Sequence, residues 1–111
     1  MAREQAGDCA AAASQGQQPY NMCMRDEVGK TRENMDAYVA AFRLLLSSDL
    51  LKGFDEAQGR WSAYEQALCQ AAFDQYKDGT IAPSERSACE LLLMRNHIRE
   101  LGATLGTAFH R

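Results

Sequence analysis

Apolar side chains recur at intervals of three and four residues through the middle of this chain, a spacing that places them on one face of a helix. The clearest run contains Phe54, Ala57, Trp61, Tyr64, Leu68 and Ala72. The Gln, Arg and Glu residues between them are predicted to occupy the opposite face. A stripe that includes a Trp and a Tyr has a large apolar area, so other helices are expected to cover it.

The same periodicity predicts two more long helices, one on each side of this central one. The first extends from about residue 19 to 46. The central helix begins at Ser48 or Asp49, either of which can cap it, and it ends near residue 76. The last begins near Pro83, which suits a first helical turn, and ends near Leu105. In the turn between them, Asp78-Gly79 is expected to supply the positive φ that ends a helix.

These elements predict an all-α fold, an antiparallel three-helix bundle that runs up, down and up. A short Ala-rich helix at residues 9–13 is expected to precede it, and no alternation of period two indicates a strand. The predicted domain covers residues 8–106, with a disordered segment at 1–7 and a C-terminal tail at 107–111. The predicted structural core includes Tyr38, Trp61, Tyr64 and Leu92.

Two runs of leucine are longer than one helix face can bury. They are Leu91-Leu92-Leu93-Met94 and Leu44-Leu45-Leu46, the second of which is followed closely by Leu50-Leu51. One residue of each run must face solvent or enter a second contact. An exposed leucine is common in proteins, whereas a contiguous patch would indicate a partner or a homodimer. The pattern alone leaves both interpretations open.

The four cysteines stand at positions 9, 23, 69 and 89, and three pairings are open to them. Two local disulfides, Cys9–Cys23 and Cys69–Cys89, make the best geometric sense. Cys69 and Cys89 each lie ten residues from Gly79, so two antiparallel helices joined there would place them level. Disulfides indicate an oxidising compartment, the periplasm or the cell exterior. The alternative is four buried thiols in a cytosolic protein.

Composition narrows the classes of function. The chain has 111 residues and a formal net charge of −3, which disfavours nucleic-acid binding and slightly favours a basic protein partner. No apolar run is long enough to predict a membrane span. The first twenty residues contain no apolar segment typical of a signal peptide, and the polar start suggests that one was removed.

Motifs for catalysis or metal binding are lacking in the sequence, which predicts a protein that is not an enzyme and needs no cofactor. The cysteines form no C-x-x-C pair, and His97 and His110 lie far from them, so neither a zinc site nor a redox site is expected. His97 is predicted to face solvent. Arg95 is expected to bond with Glu65 or with a neighbouring carbonyl group.

One combination of residues is more specific than any of its parts. It consists of Q-x-x-W-x-x-Y-x-x-x-x-C over Gln58 to Cys69, then Gly79-Thr80-Ile81-Ala82-Pro83, Cys89, Arg95 and Leu101. Upstream it includes Asp8-Cys9, Asn21-Met22-Cys23 and the segment from Met35 through Tyr38 to Leu45. Over residues 8–105 the chain therefore resembles the LprI-type lysozyme-inhibitor family of small secreted bacterial domains.

That resemblance implies an all-helical, disulfide-bonded envelope protein, and some members are associated with the inhibition of lysozyme. The expected partner is then a lysozyme or another peptidoglycan hydrolase, and the alternative is an envelope structural or assembly protein with no hydrolase target. The candidate partner-binding residues are Asp78, Thr80 and Ile81, in the turn that Cys69–Cys89 would brace. Asp78 stands where the family usually has glycine, and Ala67-Leu68 stand where an acidic residue is common.

Overall fold

In a computed structural model of the chain, residues 9–109 are described, with their side chains up to residue 104. Four helices make up this part: α1 at residues 9–13, α2 at Gln17–Leu45, α3 at Ser48–Gln75 and α4 at Ala82–Phe109. The predicted all-α class is confirmed, with one short and three long helices. The disordered segment predicted at 1–7 lies outside the described residues, and α4 continues past its predicted end near Leu105.

The helix ends show how local sequence sets the elements. Gly16 precedes α2 with φ at 126°, a backbone conformation that glycine adopts easily. Ser47 occupies the N-cap position of α3 without a side-chain hydrogen bond, so the predicted caps Ser48 and Asp49 lie inside the helix. The expected positive φ at Gly79 is wrong, because Gly16 is the only described residue with one. The turn at Gly79 instead uses the hydrogen bond from its N–H to the Tyr76 carbonyl, at 2.8 Å.

Helix α4 lies between the other two long helices. It packs against both α2 and α3, which make few backbone contacts with each other. The Gln17–Ser84 hydrogen bond and the approach of Tyr38 to Gly102 show that α2 runs parallel to α4. The Cys69–Cys89 bond and the Trp61–His97 ring stack show that α3 runs antiparallel to it. The resulting molecule is long and flat, 49 × 25 × 17 Å.

The main core lies where α2 meets α4. Met24 and Met35 of α2 meet Ala88, Leu91 and Met94 of α4, and Cys9 of α1 is buried with them. Burial of such apolar side chains is the main source of stability for a small helical domain. In the leucine run at 91–94, Leu91 and Met94 are fully buried, and Leu92 and Leu93 are half-buried.

The second leucine run has the opposite outcome. Leu44 is 88% exposed, and Leu45 and Leu50 are also largely exposed, at the two-residue connection between α2 and α3. Nearby, Arg43 forms an ion pair with Asp55, which links the two helices at this end. The exposed leucines therefore form a small apolar surface at the far end of the molecule from the turn at Gly79.

The buried face of α3 differs from the predicted stripe by one position along the helix. Tyr64 is 55% exposed, so its prediction as a core residue is wrong, whereas the next residue, Glu65, is 2% exposed. Trp61 is half-buried against the core, and Leu92 is half-buried. Tyr38, beside Phe42, is 36% exposed, so its prediction as a core residue is also wrong. The stripe analysis failed because it assumed that polar side chains face outward. Glu65 is buried instead, since Arg32 supplies a hydrogen-bonding partner for its carboxylate.

Both predicted disulfides are present. Cys9–Cys23 joins α1 to α2 with a Cα–Cα distance of 5.7 Å, and Cys69–Cys89 joins α3 to α4 with 5.4 Å. No described cysteine is free. Bridges of this kind indicate an oxidising compartment. None of the helices in the described part is long and apolar enough to cross a membrane.

We expect the variant in which both Cys69 and Cys89 are replaced by alanine to fold with less stability. The bridge closes a loop with a sequence separation of 20 residues, for which the chain-entropy model gives about 3 kcal/mol. Urea unfolding followed by far-UV circular dichroism measures this difference, with the native helical signal as a check that the variant folds. An unchanged unfolding midpoint would contradict the expected role of the bridge.

Candidate functional site

A groove follows α4 between α2 and α3, because these two helices both pack on α4 rather than on each other. Two cavities lie along it, of about 650 and 590 Å³, and Arg86 and Glu90 of α4 line both. We call this feature the α2–α3 groove. Its α2 side includes Met22, Arg25 and Arg32, and its α3 side includes Glu65, Gln70 and Phe73.

An ion-pair cluster joins all three long helices at the middle of the groove. Arg32 of α2 donates two hydrogen bonds to the Glu65 carboxylate of α3, with Nη1–Oε1 at 3.2 Å and Nη2–Oε2 at 2.8 Å. Its Nη2 also lies 3.3 Å from Oε2 of Glu90 on α4. A two-pronged arginine–carboxylate bond is among the stronger hydrogen-bonded pairs in proteins. Arg32 is thus a guanidinium partner of Glu65 that the sequence analysis did not predict.

The carboxyl group of Glu90 is affected both by burial and by neighbouring charges of both signs. Burial raises the pKa of its carboxyl group, and the nearby Glu65 charge raises it further, while Arg86 and Arg32 act in the opposite direction. Arg86 is held near it by a hydrogen bond from Nη1 to the Gln70 Oε1 atom, at 3.1 Å. The groove is therefore a site where charged groups of both signs are held close together by neighbouring helices.

The turn with the predicted partner-binding residues lies at one end of the groove. Asp78, Thr80 and Ile81 are all exposed, Ile81 by 37%. Asn21 of α2 donates a hydrogen bond from Nδ2 to the Thr80 carbonyl, at 3.0 Å, and Ser84 donates one from Oγ to the Ile81 carbonyl, also at 3.0 Å. The backbone of the turn is anchored on two helices while its side chains point outward.

Asn21 and Ser84 were missed by sequence reasoning. Both belong to one hydrogen-bonded chain, since Gln17 donates from Nε2 to Asn21 Oδ1 at 2.7 Å and to Ser84 Oγ at 3.2 Å. The spacing of Gln17 and Asn21 by four residues places them on one helix face. That spacing could have identified the pair, but nothing in it indicates that the pair holds a turn distant along the chain.

His97 and Trp61 form a second polar arrangement, between α3 and α4. Their rings stack at 4.2 Å with an interplanar angle of 14°, and His97 is 8% exposed, so the predicted solvent-facing position is wrong. The His97 Nε2 atom lies 2.6 Å from Oε1 of Gln58. Because a carbonyl oxygen can only accept, Nε2 carries a proton, and in the neutral ring Nδ1 then carries none.

The environment of His97 favours its neutral form. Its Nδ1 atom is buried and has no hydrogen-bond partner among the described residues, and the nearest carboxylate oxygen, from Glu100, is 3.7 Å away. Burial lowers the pKa of His97, although the charges of Glu100 and Glu65 oppose this effect. The arrangement holds the imidazole for packing against Trp61 and for bonding to Gln58.

Among residues 9–104, no three His, Cys, Asp or Glu side chains are grouped so that they could hold a metal ion. The buried side chains of Glu65 and His97 instead bond across helix interfaces, Glu65 to Arg32 and His97 to Gln58. The site consists of an exposed turn whose backbone is anchored, beside a groove lined by charged side chains.

Comparison with family models identifies a family for this chain. The family model described as lysozyme inhibitor LprI matches residues 9–101, which is most of the chain and includes all four cysteines, the turn and the groove. No curated protein and no solved structure gives a significant match to the chain.

We expect Arg32→Met to lower the free energy of unfolding by about 3 kcal/mol, since it leaves the buried Glu65 charge without its partner. The double variant Arg32→Met, Glu65→Leu removes both charges and should recover most of that loss. Urea unfolding of the two variants measures the difference. Lys30→Met, at an exposed position on the same helix, is the control and should change stability by less than about 0.5 kcal/mol. A double variant no more stable than the single one would contradict this account.

Protonation of His97 should destabilise the fold. Its pKa is lower in the folded protein than in the unfolded chain, so its contribution is complete above about pH 6.5, the unfolded value, and is lost as the pH falls towards the folded pKa. We expect His97→Phe, which keeps a ring against Trp61, to show a smaller loss of stability between about pH 7.5 and pH 5.5. Urea unfolding followed by Trp61 fluorescence measures both curves.

The matched control for this experiment is His110→Asn, which changes the other histidine of the chain. It should retain the pH dependence of the unaltered protein. Glu90 has a raised pKa, so its contribution to stability changes with pH in the opposite direction to that of His97, since burial favours its protonated form at low pH. It is present in all three proteins, so identical pH curves for His97→Phe and the unaltered chain would contradict the assignment to His97.

Proposed function

The chain belongs to the LprI lysozyme-inhibitor family, and from this membership we propose that it is a periplasmic or secreted protein that binds and inhibits a lysozyme or a related cell-wall muramidase. Its two disulfides support a location outside the cytoplasm. The family is one of inhibitors, which supports a binding role without catalysis. The chain's net charge of −3 suits a basic enzyme as partner.

The contact surface that we propose is the turn with Asp78, Thr80 and Ile81. The observation that carries this choice is that the backbone is anchored while the side chains are exposed, through the bonds from Asn21 and Ser84. A segment already held in one conformation loses little conformational entropy when it binds, so more of the contact energy appears as affinity. The Cys69–Cys89 bridge fixes the two helices that carry the turn.

The three side chains have complementary roles in this proposal. Ile81 supplies a branched apolar group for a pocket on the enzyme, as anchors at interfaces commonly do. Asp78 supplies a carboxylate that attracts a basic surface and increases the rate of encounter. Thr80 adds a hydroxyl group that can donate or accept a hydrogen bond at the rim. Blocking of the cleft by such a turn needs no chemical step.

The test compares inhibition of a basic lysozyme, measured as the rate at which suspended cell walls clear, by the unaltered protein and by the variant Asp78→Ala, Thr80→Ala, Ile81→Ala. We expect the variant to need at least about tenfold more protein for half-inhibition, which corresponds to a loss of about 1.4 kcal/mol. The matched control, Glu33→Ala with Asn34→Ala, changes exposed residues of α2 and should inhibit as the unaltered protein does.

Two outcomes would count against the proposal in different ways. If the folded turn variant inhibits without loss, the turn is not the contact surface. If the unaltered protein inhibits none of a panel of muramidases, the inhibitor function itself is refuted for this chain. Circular dichroism of each variant confirms that the comparison is between folded proteins.

A second candidate function is an envelope assembly role without a hydrolase target. The observation that favours it is the exposed leucine surface of Leu44, Leu45 and Leu50 at the connection between α2 and α3, since exposed apolar patches commonly mark contacts between proteins. A homodimer through this surface is the simplest form of such an assembly. Native mass spectrometry of the unaltered protein and of Leu44→Gln with Leu45→Gln distinguishes a dimer from a monomer.

A further inference from the structure

The half of the α2–α3 groove nearest the turn has features of a ligand site that the inhibitor proposal does not use. Its cavity of about 650 Å³ is open to solvent and lies in the size range of small-ligand pockets. Polar and apolar side chains both line it. Glu90 of the ion-pair cluster lines this cavity, whereas Arg32 and Glu65 line the neighbouring one.

The charge inside the groove differs in sign from that of the whole protein. Three guanidinium groups, of Arg25, Arg32 and Arg86, face two carboxylates, of Glu65 and Glu90, which leaves one positive charge in excess. The chain as a whole has a net charge of −3. A positive site inside a negative protein provides local complementarity to an anion that the overall charge would not predict.

The three arginines differ in how many hydrogen bonds and ion pairs they make within the protein. Arg32 is committed to Glu65 and Glu90. Arg86 bonds to Gln70 with one nitrogen and has its Nε atom 3.8 Å from Glu90, and its side chain remains 42% exposed. Arg25 is exposed and makes no ion pair within residues 9–104. Arg25 and Arg86 line the same cavity, so both can donate to one ligand.

The remaining lining is apolar. Met22 of α2, Phe73 of α3 and Pro83 of α4 contribute to the same cavity. Methionine adapts to ligands of different shape, and a phenylalanine ring supplies a flat apolar contact. The site thus combines donors for an anion with a surface for an aliphatic group at a short distance.

We propose that this half of the groove binds a short peptide segment in which a carboxylate stands next to an aliphatic side chain. The carboxylate is held by Arg25 and Arg86, and the aliphatic group packs on Met22, Phe73 and Pro83. Guanidinium groups match the planar fork of a carboxylate and can bond to it with two parallel hydrogen bonds. The apolar lining contributes burial that an inorganic anion or a nucleic-acid phosphate would not use.

The proposal is independent of lysozyme inhibition and is tested without any hydrolase. The probe is the dipeptide acetyl-Leu-Asp-amide, titrated into the full chain while its backbone amide signals are followed by NMR. We expect saturable shifts below about 10 mM at Met22, Arg25 and Phe73. The matched probe acetyl-Leu-Asn-amide has the same shape without the charge, and it should bind at least about tenfold more weakly.

Variants of the chain locate the site. Arg25→Gln, at an exposed position that should not affect folding, is expected to weaken binding of the Asp peptide roughly tenfold. The matched control Lys30→Gln removes a cation from the same helix outside the groove and should leave binding unchanged. Raising the salt concentration to about 0.5 M should weaken binding of the Asp peptide more than that of the Asn peptide.

Each other outcome overturns the proposal. Equal binding of the two peptides would show that the groove does not recognise the carboxylate. Shifts confined to residues outside the groove, or an unaffected Arg25→Gln variant, would place the site elsewhere. Binding of inorganic phosphate as tight as that of the Asp peptide would show a general anion site. The turn variant Asp78→Ala, Thr80→Ala, Ile81→Ala should retain peptide binding, so loss of inhibition and loss of this site are separate results.

Discussion

The carboxylate of Glu65 sets a constraint that the arrangement of the three long helices must satisfy. It is buried in α3, and removal of its charge from water is costly unless strong hydrogen bonds replace the lost hydration. Arg32 of α2 supplies two such bonds, and α4 places Glu90 beside the same guanidinium. Only a limited range of helix positions brings these groups together. The cluster thereby favours one alignment of α2 and α3 although their backbones make few contacts.

The central position of α4 follows from its small side chains as well as its apolar ones. Ala82, Ser84, Ser87 and Ala88 are buried in its first half, and small side chains allow neighbouring helices to approach closely. Larger residues, Leu91 and Met94, fill the space one to two turns further along the helix. Cys69–Cys89 then fixes α3 to α4, and Cys9–Cys23 fixes α1 to α2 at the same end of the molecule. An arrangement with α4 in the middle leaves a groove between α2 and α3, which a closed three-helix bundle would fill.

One end of the molecule therefore combines rigidity with exposure. The turn at 77–81 is held by Asn21 and Ser84, and the groove opens beside it with Arg25 and Arg86. The other end, with the exposed Leu44, is joined by the surface ion pair of Arg43 and Asp55, a type of contact that contributes little to stability. Recognition by a partner is expected where the backbone is best held, since less entropy is lost there on binding.

The sequence by itself determined the helical class and the approximate limits of the three long helices, and it favoured both disulfide pairs, because periodicity and cysteine spacing act over short distances along the chain. Only the tertiary structure decided which face of α3 is buried. The apolar spacing predicted that Tyr64 rather than Glu65 would be buried, and His97 was expected to face solvent. Both predictions failed because a polar side chain is buried when a partner offsets the cost of its desolvation. Those partners, Arg32 for Glu65 and Gln58 for His97, come from other helices. Their proximity depends on how the helices pack, which no local pattern in the chain records.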